Sequence, residues 1–354
     1  MDSMASKNLN VCRILRSRLM RGTYRDRLPS IRQLAKELST DPKTVQCALA
    51  QLEVAGLVRR VPRRGTFAVG GGEGTTPQAA TYVCITTDSP SIVRGDTRFF
   101  GIPIIAAFHD EAKGHQLDVV IRFSDDPSRT VAKALDDARN HRCAGTCLLS
   151  IPVSTATALR LAQAGGGIVV ADWDMEEILV PCVVFDNLVA GRQAAEHLMQ
   201  LGHRRIAYVS GTRGSPSQED RWQGFCQALA RAGLTPPAPI VDMDHFSEDF
   251  LASVRGPDAP TAVVICNTSV ADETIQLVES AGMVIPRDLS VITFGGYLTV
   301  TQGRRITAVV MDYQEMGKKA LQALLDEDAF RRSRREVIRT TLVVGTTTAP
   351  PDSR

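Results

Sequence analysis

The sequence predicts an α/β protein. A small basic helix-turn-helix module with a wing stands in front of a two-lobed body of parallel, doubly wound sheets. Three observations predict it. Charge is split along the chain: residues 1–69 carry 14 Lys/Arg against 5 Asp/Glu, a net +9, the remainder is −7, and the whole is +2. The glycine-rich run from Gly70 to Gln78 divides the chain at the same place. Beyond it, short apolar runs alternate with amphipathic stretches, the βαβα pattern of parallel sheets covered by helices.

With 354 residues, more than one domain is expected. Hydrophobic residues at 44% and charged residues at 23% are ordinary for a soluble globular protein. No apolar run reaches about 18 residues, so no membrane-spanning helix is expected. The opening MDSMASKNLNVCRILRSRL lacks an apolar h-region, so no secretory signal is expected. Eight cysteines, at 12, 47, 84, 143, 147, 182, 226 and 266, form no CxxC pair and mostly sit in apolar runs. Buried reduced thiols and a cytoplasmic location are the expectation. The domains are residues 7–69, a linker at 70–80, and the body at 81–346.

In the first domain, residues 7–21 read as a helix. Ser30 caps a second helix from Ile31 to Leu38, and Asp41-Pro42 opens a third. Val45, Ala48, Leu49 and Leu52 share one face of that third helix and pack inward. Lys43 and Gln46 fall on the opposite face near the helix start, where a helix-turn-helix meets base edges in the major groove. Gly56 ends the helix. Val58–Val61 and Thr66–Val69 then read as two strands around Pro62-Arg63-Arg64-Gly65, a basic wing suited to phosphate or minor-groove contact.

The run LPSIRQLAKELSTDPKTVQCALAQLEVAGLVRRVPRRGTFAV resembles the winged helix of the GntR family of bacterial transcription regulators. The likeness rests on the LPS opening, the R-x-L-A helix, the TV-x-x-AL reading helix, the L-E-x-x-G-L exit and the R-G-T-F wing. By position it implies DNA contacts from Arg32, Lys43, Thr44, Gln46, Arg64 and Gly65, and the wing reading adds Arg63. Many members carry Arg where Pro42 and Gln46 stand here, so sequence preference does not transfer. The partner implied is a double-stranded DNA operator.

The body alternates in order. YVCITT, LDVVIRF, GTCLLS, IVVAD, VVF, RIAYVSG, TAVVIC, LSVITF and ITAVV read as strands. Helices are expected at 104–115, up to His141, from Asn187 to Leu201, from Gln218 to Ala232, from Val270 to Ala281, and through MGKKALQALL. Several stretches resemble the effector-binding domain of lactose- and galactose-repressor-type regulators, a periplasmic-binding-protein-like fold. They are Phe185-Asp186-Asn187 with Ala190-Gly191 and HLMQLGHRRIAYVSG, Arg221-Trp222-Gln223-Gly224-Phe225, PTAVVICN, and GMVIPRDLSVITF. The resemblance implies two lobes crossed by three hinge strands, a small polar, carbohydrate-like effector between them, and a homodimer. Joined to the winged helix, it is similar to the arabinose-repressor type of architecture.

Ligands of open α/β sheets sit beyond the carboxyl ends of strands. The residues there are Asp88, Ser150, Asp172 and Asn267, with Arg221 at the start of its helix. Phe99, Trp173 and Phe246 are candidates for an apolar wall. Arg and Asp hold hydroxyls or a carboxylate by charge-assisted hydrogen bonds. One departure stands out: where many sugar-responsive members have G-[FY]-D-D, this chain has Thr293-Phe294-Gly295-Gly296, and Thr268 replaces a further Asp.

No HExxH, G-x-S-x-G elbow, Walker loop or post-strand G-x-G-x-x-G occurs, so no catalytic residue, metal ligand or cofactor is expected. His203, in LGHRR, matches a structural turn of the resembled family. Two rival readings are an aminotransferase-like fusion and a ligand-binding module without specific DNA binding. The first needs a longer body and a pyridoxal-lysine context; the second sits poorly with the +9 module and its intact wing.

Overall fold

The structure of the protein is a computed structural model. It describes the chain except residues 1–10, 13, 17, 20–22, 25–26, 55–56, 62–63, 69–79, 88–100, 124–125, 138–142, 165–166, 176–179, 211–214, 241–245, 257, 297–299, 302, 327–334 and 353–354, and the side chains of 54, 127, 163–164, 246–249 and 300–301. The expected linker therefore lies outside the described residues, as do Arg63, Asp88, Phe99 and the side chain of Phe246.

In the N-terminal module, helical turns within 11–19 precede helices Ile31–Glu37 and Pro42–Val54. Strands β1 (Val58–Val61) and β2 (Gly65–Ala68) pair antiparallel, Val58 opposite Ala68. Leu15, Leu34, Val45, Ala48, Leu49 and Leu52 form its buried core, as the 3.6-residue spacing requires. Ser30 caps the Ile31–Glu37 helix through a reciprocal capping box with Gln33.

The body carries two sheets. One has six strands: β3 (Tyr82–Thr87), β4 (Asp118–Phe123), β5 (Cys143–Leu149), β6 (Ile168–Ala171), β7 (Cys182–Phe185) and β14 (Arg335–Ile338), in the order β14-β7-β6-β5-β3-β4. The other has five: β8 (Ile206–Val209), β9 (Ala262–Ile265), β10 (Ser290–Gly295), β13 (Thr307–Val310) and β15 (Thr341–Val343), in the order β15-β13-β10-β9-β8. A short antiparallel hairpin of β11 (Val300–Thr301) and β12 (Arg304–Arg305) stands apart. Pairs among β3 to β7 and among β8, β9, β10 and β13 are parallel, while β15 joins β13 antiparallel. The helices and strands expected from the apolar runs are found. Helices Thr155–Ala164 and Phe246–Ser253 and strands β14 and β15 go beyond that expectation, because their apolar content is short or interrupted.

The chain divides into two compact units, each assembled from separate segments. The first takes 1–94, 104–183 and 316–336, and the second 95–103, 184–315 and 337–354. In the first, counting β3 as the first strand, the order is 2-1-3-4-5, so the winding reverses between β3 and β5. In the second, Ile240 bridges Val209 in parallel on the outer side of β8. That supplies the missing second strand position, and the winding reverses between β8 and β9. Ligands of such sheets bind beyond the carboxyl ends of the strands at this reversal.

Candidate nucleic-acid interface and effector site

The reading helix Pro42–Val54 displays Lys43, Gln46, Cys47 and Ala50 on its exposed face, and Arg32 is exposed on the helix before it. Ser39, at φ 48°, turns the chain between these two helices. Thr44 is a correction to the expected contacts. Only 4% of it is exposed, and its hydroxyl donates to Asp41 Oδ2 at 2.6 Å while its amide donates to Oδ1 at 2.8 Å. It is the inner half of a helix cap, and these bonds hold the Asp41 carboxyl below its ordinary value. The wing is fastened to the reading helix: the Arg60 amide donates to Glu53 at 2.9 Å, and its guanidinium to the Gln46 carbonyl at 2.8 Å. Gly65 is exposed and turns the wing at a φ of 117°, a conformation that favours glycine. Arg64, beside it, is exposed. The outward side chains are thus Arg32, Lys43, Gln46 and Arg64.

In the first unit, two expected residues come together. Ser150 follows β5 and Asp172 follows β6, and the Ser150 hydroxyl donates to Asp172 Oδ2 at 2.9 Å. Both hold left-handed backbone, φ 54° and 58°, fixed by bonds from the Ser150 amide to Ala171 O and from the Asp172 amide to Val183 O. Such backbone costs a non-glycine residue about 1–3 kcal/mol and clusters at ligand clamps. Trp173 packs partly buried against a core that includes Met175 and Val180, so it is a wall of that core. Thr87, which the sequence pattern does not single out, ends β3 with a fully buried hydroxyl that has no hydrogen-bond partner among the described residues.

In the second unit the glycines of the motifs explain the geometry. A Cβ on Gly191 would stand 1.8 Å from the Arg221 carbonyl oxygen, and one on Gly224 would stand 2.0 Å from the Leu188 oxygen. Helices Asn187–Gln200 and Pro216–Arg231 therefore cross backbone to backbone. Tyr208 on β8, with ring centroids 4.8 Å from Trp222 and 5.1 Å from Phe225, anchors the second of them. The crossing aims Arg221 at the strand ends. Its Nε donates to Asn187 Oδ1 and its Nη1 to the Cys266 carbonyl, each at 2.9 Å, and its guanidinium lies 5.2 Å from the Phe294 ring centroid. Among the described residues no carboxylate pairs with it, and Nη2 is the arm these bonds leave for another oxygen.

Asn267, beyond the end of β9, also has a structural role. Its Oδ1 accepts from the Val270 amide at 2.9 Å and caps the helix Thr268–Ser280. Gly295 and Gly296 bring no side chain to the end of β10, where Arg221 is the charged group the strand ends meet. Asn187 and Phe294, the partners of Arg221, are not singled out by the sequence, although both lie inside the quoted motifs. His203 behaves as the turn residue expected: its ring bonds Thr261 at 2.8 Å and the Ala349 carbonyl at 2.9 Å.

Comparison with known proteins matches two parts of the chain. Residues 7–68 match the bacterial regulatory proteins of the gntR family, and residues 195–348 match the periplasmic binding protein-like domain. The HTH-type transcriptional regulator DegA of Bacillus subtilis is 29% identical over 175 residues, covering 48% of this chain and 52% of DegA. The HTH-type transcriptional repressor CytR of Escherichia coli is 30% identical over 159 residues, 43% of this chain and 46% of CytR. The chain spans about half the length of the curated relatives it matches. A LacI family transcriptional regulator from Mycobacterium smegmatis is similar in structure, with TM-score 0.62, 26% identity, 76% of this chain and 99% of that one. The lac repressor dimer bound to operator shares the fold at TM-score 0.65 and 19% identity, over 77% of this chain and 95% of that one. No described helix is long and apolar enough to cross a membrane.

Proposed function

We propose that this chain, in which a gntR-type DNA-binding domain precedes a periplasmic-binding-protein-like domain, is a transcription repressor whose operator affinity is set by a small polar effector. The observation that carries the effector half is the placement of Ser150–Asp172 and of Arg221, each beyond strand ends at or next to the reversal of strand order in its own unit. A carboxylate and a hydroxyl in one unit, and a guanidinium without a carboxylate partner in the other, suit a hydroxyl-rich ligand with a strong acceptor or anionic end. A sugar, polyol or sugar acid fits; the gap at Gly295 argues against simple reuse of the family's carboxylate. Effector binding that favours one arrangement of the units over another would move the DNA modules, with a coupling of typically about 1–3 kcal/mol.

The working form is a homodimer, since a two-fold operator is read by two modules. Strand β4, at the edge of its sheet, exposes Val120, Ile121 and Phe123 at 36%, 45% and 41%. Parallel sheets normally bury such residues, so a second copy is the fitting cover. The test is a thermal-shift screen of sugars, polyols, sugar acids and nucleosides. A ligand at about 100 times its dissociation constant adds about 2.7 kcal/mol. Any hit should lose its shift in Arg221→Ala; a hit that stabilises both proteins equally rules out the site.

A further inference from the structure

We propose that Cys84 and Cys143 are a redox site: a hydroperoxide joins them in a reversible disulfide within the first unit. Their sulfurs lie 3.8 Å apart across β3 and β5. The two strands change register between Tyr82 and Cys84, with Tyr82 opposite Cys143 and Cys84 opposite Thr146, and this irregularity brings the two side chains together. A disulfide needs about 2.05 Å, a closure within reach of side-chain rotation.

The third neighbour, Asp137, argues for oxidation over metal binding. Cys84, Cys143 and Asp137 are close enough to share an ion. The Asp137 carboxylate, however, already accepts both arms of Arg122, one at 3.1 Å, and the Thr146 hydroxyl at 3.4 Å, with Lys133 Nζ at 3.9 Å. A cation would find two sulfurs as ligands and two positive side chains nearby, whereas zinc sites want four ligands. A disulfide adds no charge and needs no further ligand, which suits a site where Cys84 is 0% and Cys143 4% exposed.

The pair is also asymmetric. The hydrogen bond between the two sulfurs holds Cys143 below its ordinary value, and the same bond together with burial drives Cys84 up. Burial pushes Cys182 up to about 12 and Cys226 and Cys266 up to about 11. Cys143, the more exposed of the two and the one held low, is the attacking thiolate of this proposal. Its sulfur attacks one peroxide oxygen, the O–O bond breaks, and a sulfenic acid forms with release of water from hydrogen peroxide or of the alcohol from an organic hydroperoxide. The Cys84 sulfur then attacks the sulfenic sulfur, loses its proton, and releases water. Two thiols give up two electrons and two protons, and the hydroperoxide is reduced to water plus a second water or an alcohol; a small dithiol reverses the change.

The experiment treats the full chain with hydrogen peroxide, then alkylates and maps it by non-reducing mass spectrometry. The expected result is a peptide pair linking Cys84 to Cys143, lighter by two hydrogens, restored by dithiothreitol and accompanied by a rise in melting temperature. Cys84→Ser should leave Cys143 as a sulfenic acid that dimedone traps, while Cys143→Ser should leave Cys84 unoxidised. Both thiols still alkylatable after the exposed Cys47 has been oxidised would overturn the proposal. So would stoichiometric binding of zinc or cadmium that either variant abolishes.

Discussion

The reading helix and the Arg221 cluster hold their chemistry in opposite ways. Lys43 and Gln46 stand on an exposed face, on a scaffold completed within a few turns of chain. Arg221 is fixed by Asn187, Cys266 and Phe294, residues 34, 45 and 73 positions away, and by a helix crossing that only glycine permits. The difference teaches that the proposed DNA contacts are separable from stability, whereas the proposed effector contact is not. Removing Arg221 leaves the Asn187 and Cys266 oxygens without their donor, a destabilisation of about 1–3 kcal/mol.

The sharpest way to break the comparison is at the crossing. Gly191→Val places side-chain carbon where the Arg221 carbonyl already stands, and overpacking costs about 1–3 kcal/mol or more. Urea unfolding should show at least that destabilisation, and effector binding should go with it. A variant of wild-type stability would mean the helices do not cross as described. On the other side, Arg63→Ala with Arg64→Ala should leave unfolding unchanged and weaken binding to all DNA sequences. For every phosphate the variant no longer neutralises, the salt slope should fall by about 0.9, read from anisotropy titrations at several salt concentrations.

How much of this was legible follows the same line. Lys43 and Gln46 were read as outward from one helical period, while Arg32 and Arg64 came with the resemblance, and all four are exposed. Thr44 came with the resemblance, and its burial in the Asp41 cap depends on local geometry that a carried-over position does not show. In the body, the strands were readable as apolar runs, and Ser150 and Asp172 as strand-end polar residues. Their mutual hydrogen bond and left-handed backbone were not, since both depend on the pairing of β5 with β6. The partners of Arg221 were invisible for the same reason: three separate segments bring them to one point.

A smaller effect tests the strained pair. Asp172→Asn keeps an acceptor for Ser150 and tolerates the left-handed backbone, so stability should change by under about 1 kcal/mol while effector affinity falls. Asp172→Val, which cannot tolerate that backbone, should lose about 1–3 kcal/mol. Calorimetry and unfolding of both variants separate charge from strain. The smallest expected effect is on pH. Burial holds His197 and His203 below their ordinary value in the second unit. The unfolded chain therefore binds more protons, so this stability is present above about pH 6.5 and is lost as pH falls through the lower folded values. Melting should show that slope, and His197→Gln should flatten it.

The central claim is that effector and DNA binding are linked through one protein. The most direct measurement is anisotropy of full-length protein on operator DNA selected from a random pool, with and without a compound that raises the melting temperature. The account predicts a change in DNA affinity of roughly 5- to 150-fold, the range typical of such coupling, absent in Arg221→Ala although that protein still binds DNA. Identical DNA affinity with and without saturating compound would contradict it.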